Sequence, residues 1–207
     1  MTFEKGKWNL KKAKEGIKVY IRDEPSTGLP EYKGITKIAA PIQSLIAVLR
    51  DVDEYPNLFV GTKTAKLLRE EQDLQICYMH NECSFPFSDR DAIYKSIFYH
   101  DAESGKVSLI ITALPDYLPE QSKKVRVPVS KGLWILKPLN DGTVDVLYQQ
   151  YADPGGNLPN WIIRLYSVNI PYKALKCLRR QVKLPKYQVI ENEMPTSKEQ
   201  VKYNANV

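Results

Sequence analysis

The chain has 207 residues, 43% of them hydrophobic and 26% charged, with a net charge of +6. That balance fits one globular domain with a full core and excludes disordered, collagen-like and coiled-coil chains. No stretch approaches the ~20 apolar residues a membrane-spanning helix needs, and three cysteines (Cys77, Cys83, Cys177) are too few for a disulfide framework. Tyrosine stands out, at 13 residues against five Phe and three Trp. Its apolar body and partner-seeking hydroxyl suit half-polar pockets and interfaces.

The start, MTFEKGKWNL, has no apolar signal-peptide core, so the expected location is cytoplasmic; a chain trimmed of a leader would look the same. From Ile17 to Arg22 apolar and polar residues alternate as in a half-buried strand, and Glu31 to Ala39 reads as a second strand. Pro41 then opens a helix with Ile42, Leu45, Ile46 and Leu49 at helical spacing, ended by Asp51-Val-Asp-Glu-Tyr-Pro56. Six strands follow, near 62–70, 74–84, 91–100, 107–114, 124–137 and 143–152, with short breaks that imply hairpins and an antiparallel sheet.

The last element is a long, broadly apolar helix after Asp153-Pro-Gly-Gly156, with Asn157 as the expected N-cap. Between Pro154 and Ile190 it has seven basic residues and no acid, which leaves the rest of the chain at −1. Pro171 inside it removes one backbone hydrogen bond and predicts a kink at 169–171. The stretch from 187 to 207 is polar and aperiodic, so the expected division is a domain over 1–186 and a polar tail. Strands first and a long helix last give an α+β fold with helices packed on a curved antiparallel sheet.

Motifs for catalysis are scarce. No phosphate loop, dinucleotide fingerprint, zinc-protease or nucleophile-elbow motif is present. Cys77, His80 and Cys83 fail as a metal set, because strand alternation turns His80 away from both cysteines. Ser88-Asp-Arg-Asp91 reads as an ion-pair knot pinning a turn, and Asp51, Asp53 and Glu54 as a capped helix end in solvent.

Several stretches together resemble the START domains (StAR-related lipid-transfer domains), in particular the bacterial branch, within the helix-grip superfamily. They are Trp8-Asn-Leu10 with Glu15-Gly-Ile-Lys-Val-Tyr20, Ala40-Pro41 up to Asp51-Val-Asp-Glu-Tyr-Pro56, Ser88-Asp-Arg-Asp91, Pro115-Asp-Tyr-Leu-Pro-Glu120 with Val125-Arg-Val127, and Asp153-Pro-Gly-Gly-Asn-Leu-Pro159. The ordered set covers roughly residues 3–186. The resemblance implies a curved antiparallel sheet wrapped around a long C-terminal helix, a lipid-sized tunnel between them, and no catalysis. Strand and helix register then place Tyr94, Ser96, Phe98, Leu109, Ile111, Ile170, Ala174 and Leu178 at ligand-facing positions, with Tyr94 and Ser96 orienting the ligand's polar end. In sterol-transferring members a buried acid–base pair reads the ligand; the matching positions fall near Cys77 and Ser96, neither of them charged, so sterol specificity is not carried over.

The sequence thus leads to a monomer that binds a lipid or other hydrophobic molecule, with no cofactor, metal or nucleic-acid partner expected. Transient docking on an anionic membrane is assigned to Arg179, Arg180 and Lys183. Two rivals stand beside this reading: a helix-grip cyclase or isomerase acting on a hydrophobic substrate, and an interaction protein whose cavity is vestigial.

Overall fold

The computed structural model describes residues 6–188; most of the expected tail, from 189 to 207, lies outside the described residues. The strands are β1 (Asn9–Lys14), β2 (Ile17–Asp23), β3 (Pro30–Ala39), β4 (Thr62–Glu70), β5 (Leu74–Asn81), β6 (Asp89–His100), β7 (Val107–Ala113), β8 (Lys124–Arg126), β9 (Val129–Pro138) and β10 (Thr143–Asp153). The helices are α1 (Ile42–Arg50), the single turn α2 (Tyr55–Leu58) and α3 (Asn160–Gln181). One sheet runs in the order β1-β2-β3-β10-β9-β7-β6-β5-β4, with antiparallel neighbours throughout, while the short β8 joins β6 in parallel. The sheet curves around α3, which is the helix-grip arrangement.

The expected elements need three corrections. β1 is an extra strand, which its sequence hides because it is an exposed edge of polar residues with no buried alternation. The run 124–137 is two strands, split at Val127-Pro128, where proline has no N–H for a ladder. The last helix begins at Asn160 rather than after Asn157. Leu158 precedes a proline and is biased to extended backbone, and Pro159 itself is extended (φ −60°, ψ 138°).

The core forms where the concave side of the sheet meets α1 and α3. Trp134, Leu136, Ile17, Leu45, Leu175 and Leu178 are fully buried there. Gly34 sets the distance between helix and sheet. A Cβ at this position would sit 2.7 Å from Leu175 Cδ1 and 3.2 Å from Pro171 Cβ, so the absence of a side chain on β3 is what lets α3 lie down. Beyond α3, Tyr187 is buried and its hydroxyl donates to Asp51 Oδ2 at 2.7 Å, while Lys186 bridges Asp51 and Glu54 at 3.0 and 2.8 Å. Two of the acids expected to cap a helix end in solvent, Asp51 and Glu54, are instead a latch for the C-terminal segment, while Asp53 stays exposed, and the packed body extends past 186. Burial opposes ionisation of Asp51, but the Tyr187 and Lys186 hydrogen bonds outweigh it and hold its carboxyl below the ordinary range.

The Ser88–Asp91 segment is a knot, but not between its own neighbours. Strand alternation sends Arg90 to the concave face and Asp91 to the other. Asp91 accepts a two-pronged bond from Arg126 (Nε to Oδ1 and Nη2 to Oδ2, both 2.9 Å), and Arg126 Nη1 also donates to the Leu118 carbonyl at 2.9 Å. This buried pair ties β6 to the 115–120 loop. A second buried pair, Arg22 with Glu31 at 2.5 Å, takes Gln149 Nε2 on the other carboxylate oxygen at 2.6 Å.

Two stability predictions follow from these contacts. Gly34→Ala overpacks the α3 seat and is expected to cost about 1–3 kcal/mol in urea unfolding. Asp91→Asn leaves Arg126 buried without its counter-charge and is expected to cost about 3–5 kcal/mol. Lys63→Ala, which removes the exposed pair with Glu82, serves as the control and should change stability by no more than ~1 kcal/mol.

Candidate ligand-binding site

A cavity of about 240 Å³ lies between α3 and the concave face of the sheet. It exists because the concave positions of β5, β6, β7, β9 and β10 recur every second residue and α3 is seated by Gly34 farther along, leaving space beneath the helix's first half. Cys77, Met79, Leu109, Ile111 and Trp134 line its walls, and Ile163, Tyr166 and Ile170 of α3 roof it. A second, open depression of about 420 Å³ shares Val60, Gly61, Glu82, Cys83, Tyr166 and Ile170 with it, and so forms its mouth.

Arg90 and Glu82 are the charged residues on the cavity wall, and the rest of its polar lining is uncharged. Tyr32 and Tyr148 hydroxyls lie 3.0 Å apart, and both donate to Gln150 Oε1, from Tyr32 at 2.8 Å. Gln150 Nε2 donates to Ser130 Oγ at 2.8 Å. Trp134 stacks on Tyr148 with ring centroids 4.1 Å apart, and its Nε1 is buried with no hydrogen-bond partner among the described residues. A ligand oxygen at that nitrogen would satisfy the donor. Burial pushes the Tyr94 hydroxyl and the Cys77 thiol each up to about 12, and lifts Tyr32 and Tyr148 well above the ordinary phenol range. Near neutral pH all four are protonated, so they offer hydrogen bonds rather than charge.

Of the eight positions expected to face a ligand, Tyr94, Ser96, Leu109, Ile111 and Ile170 line this cavity. Phe98, Ala174 and Leu178 do not; they are buried in the core. Phe98 sits at the far end of β6 with the Arg50 guanidinium 4.8 Å from its ring centre. Ala174 and Leu178 follow Pro171 on the stretch of α3 seated against Gly34, where no space is left. Tyr32, Tyr148, Gln150 and Trp134 were missed, although the period of two along β3, β9 and β10 marks them.

Three of the seven basic residues of α3 and the segment after it pair with acids from elsewhere in the chain, while Lys173, which lines the mouth, is exposed with no ion pair among the described residues. Arg164 pairs with Asp23 at 2.8 Å, Lys176 with Glu15 at 2.9 Å, and Lys186 with the Asp51 and Glu54 latch. Arg179 is half-buried and donates to Glu15 O at 2.8 Å and Thr36 Oγ1 at 2.5 Å, so it is tied to the sheet. Arg180 and Lys183 are exposed and have no ion pair among the described residues. Exposed apolar residues lie at the other end of α3: Leu165, Tyr166 and Val60 line the mouth, Trp161 (67% exposed) stands one helical turn before Leu165, and Phe85 (97% exposed) follows the mouth residue Ser84 in the chain. Among the described residues, no helix is long and apolar enough to cross a membrane.

Comparison with known proteins agrees with this architecture. No protein-family model matches the chain. The crystal structure of a STAR-related lipid transfer protein fragment from Xanthomonas axonopodis superposes with a TM-score of 0.80 at 36% identity, covering 86% of this chain and 99% of that one. An uncharacterised protein of Pseudomonas aeruginosa is 31% identical over 172 residues, 83% of this chain and 85% of its own length. The phosphatidylcholine transfer protein of Rattus norvegicus is 26% identical over 171 residues, 78% of this chain and 77% of that protein. With the sheet, the gripped helix and the cavity in place, this likeness to the bacterial structure over nearly its whole length means that the chain belongs to the START domain family.

Proposed function

We propose that this protein binds a lipid or similar hydrophobic molecule in the cavity under α3 and carries it between membranes. The observation that supports this most is the continuity of a mostly apolar cavity with a mouth that exposes Leu165, Tyr166 and Val60, next in the chain to the exposed Phe85 and one helical turn from the exposed Trp161. Each buried methylene contributes about 0.8 kcal/mol, so even a short acyl chain offsets part of the cost of association. The names of the Xanthomonas and rat relatives, both lipid transfer proteins, point the same way. In this reading Ser96, buried on β6, and the partly buried Tyr94 orient an uncharged oxygen of the ligand, together with the Trp134 N–H. The domain is the packed body through 188, and the chain acts as a monomer.

A carrier fits the cavity better than an enzyme does. Acid–base catalysis wants a group that titrates near the working pH, whereas the Cys77 and Tyr94 side chains are held near 12. A vestigial cavity would be filled by side chains, and this one is not.

Docking is assigned to the rim, where apolar side chains enter a lipid surface and the ligand passes without crossing water. Arg179 is withdrawn from the docking set because its guanidinium is spent on Glu15 and Thr36. Arg180 and Lys183 remain as a weaker electrostatic contribution of about 1 kcal/mol each, screened by salt.

Native mass spectrometry of the purified protein, followed by organic extraction, is expected to yield a lipid-sized adduct. An empty protein that takes up no lipid from vesicles would refute the reading. Phe85→Ser with Trp161→Ser is expected to slow transfer between phosphatidylcholine/phosphatidylglycerol vesicles at least tenfold while leaving cavity affinity unchanged. Arg180→Glu with Lys183→Glu should slow transfer several-fold at low salt and hardly at all at high salt. Ser96→Leu and Tyr94→Phe are expected to alter which lipids are retained, and unaltered retention would remove the orienting role from β6.

A further inference from the structure

Three arginines in this protein are buried: Arg22, Arg90 and Arg126. Arg22 has Glu31 and Arg126 has Asp91 as counter-charge. Arg90, only 5% exposed, has no carboxylate partner among the described residues. Its bonds go to backbone carbonyls: Nη1 to Ser88 at 2.6 Å, Nη2 to Gly155 at 3.2 Å and Nε to Pro154 at 3.4 Å. These use three of its five N–H groups. The neighbouring acids are committed elsewhere. Asp89 accepts from the Cys83 amide and His80, Asp91 holds Arg126, and Glu82 pairs with Lys63. Arg90 is also the one of the three buried arginines that lines the cavity.

A buried cation without a counter-charge is costly, and it stays charged because arginine does not lose its proton in proteins. We propose that the ligand supplies the missing charge: the cavity takes an anionic amphiphile whose acid group, a carboxylate or a phosphate, bonds to the free N–H groups of Arg90. The proposal rests on the lipid-binding reading and sharpens it to acidic lipids. It also fixes polarity. Arg90 lies at the start of β6, by the turn that leads into α3, and Tyr94 is four residues further in, roughly 13 Å at about 3.3 Å per residue. The acid group therefore sits near the turn and the carbon chain runs past the Tyr94 and Trp134 wall, which meets a second, uncharged oxygen.

The test measures binding by native mass spectrometry at pH 8 with two matched pairs: 12-hydroxystearate against its methyl ester, and dioleoyl phosphatidate against dioleoylglycerol. The parent protein is expected to favour the acid at least tenfold in one or both pairs, since a hydrogen bond to a charged group is worth about that much or more. The pair with the larger preference identifies carboxylate or phosphate as the group accepted. Arg90→Gln should abolish the preference and leave the neutral member within about twofold, while Arg90→Lys should retain part of it. Circular dichroism and thermal unfolding establish that each variant is folded; should Arg90→Gln fail to fold, the parent and Arg90→Lys preferences decide. Equal affinity of the parent for acid and neutral members overturns the proposal and leaves the lipid-binding reading intact. So does Arg90→Gln weakening both members alike, which would make Arg90 a staple for the 153–156 turn. If the parent binds none of the four probes, both readings fall.

Discussion

The close approach of α3 to β3 at Gly34 governs the rest of the structure. With Leu175 and Pro171 pressed onto a residue that has no side chain, the second half of the helix lies flat on the sheet and fills its share of the core. The sheet still curves under the first half, and there the walls stand apart. Cavity and core are therefore two consequences of one seat. The helix runs as one element from Asn160 to Gln181 through Pro171, so the residue that cannot donate to the helical ladder stands where seated and roofing halves meet.

How the charges distribute follows from the same geometry. Along the chain, α3 and the segment after it form a block of cations without an acid. In space, Glu15, Asp23 and the neighbouring Asp51 and Glu54, from three places within the first 54 residues, come to meet it. Most of these pairs are exposed and each contributes little to stability. One tie holds Arg164 on the first half of the helix, one holds Lys176 on the second, and the Lys186 latch lies just beyond its end, so three of the seven cations of the block are paired. The half over the cavity has fewer ties and more exposed apolar carbon than the half seated on the sheet, an asymmetry that suits the proposed carrier role.

Much of the fold was legible because period and punctuation carry it. The family resemblance, counted along β6 and β7 by strand alternation and along the last helix, led to Tyr94, Ser96, Leu109, Ile111 and Ile170, and these five line the cavity. The same rules failed at Ala174 and Leu178, because spacing tells which face of a helix looks inward but not whether the opposite wall touches it; that depended on Gly34. Arg90 shows another limit. Between two aspartates it reads as an ion pair, yet the alternation that defines a strand sends its neighbours to the other face. The abundance of tyrosine suggested a half-polar pocket, and Tyr32, Tyr94 and Tyr148 do line one. Their positions depended on bringing β3, β6 and β10 into one wall, which no local pattern encodes. The polar edge strand β1 and the Pro128 break were invisible for the opposite reason: they bury little, so they leave little pattern.

The three tryptophans occupy three unlike settings, which makes the molecule its own optical reporter. Trp134 is sealed in the cavity wall against Tyr148, so its emission responds to what fills the cavity. Trp161 stands in water at the rim and shifts to shorter wavelength only when that rim enters an apolar phase. Trp8 packs under the cationic groups of Arg22 and Lys33 on the far strands and is distant in sequence from both events. Under the proposed function, loading and docking, which transfer assays merge into one rate, would thus carry separate fluorescence signatures in the unmodified protein.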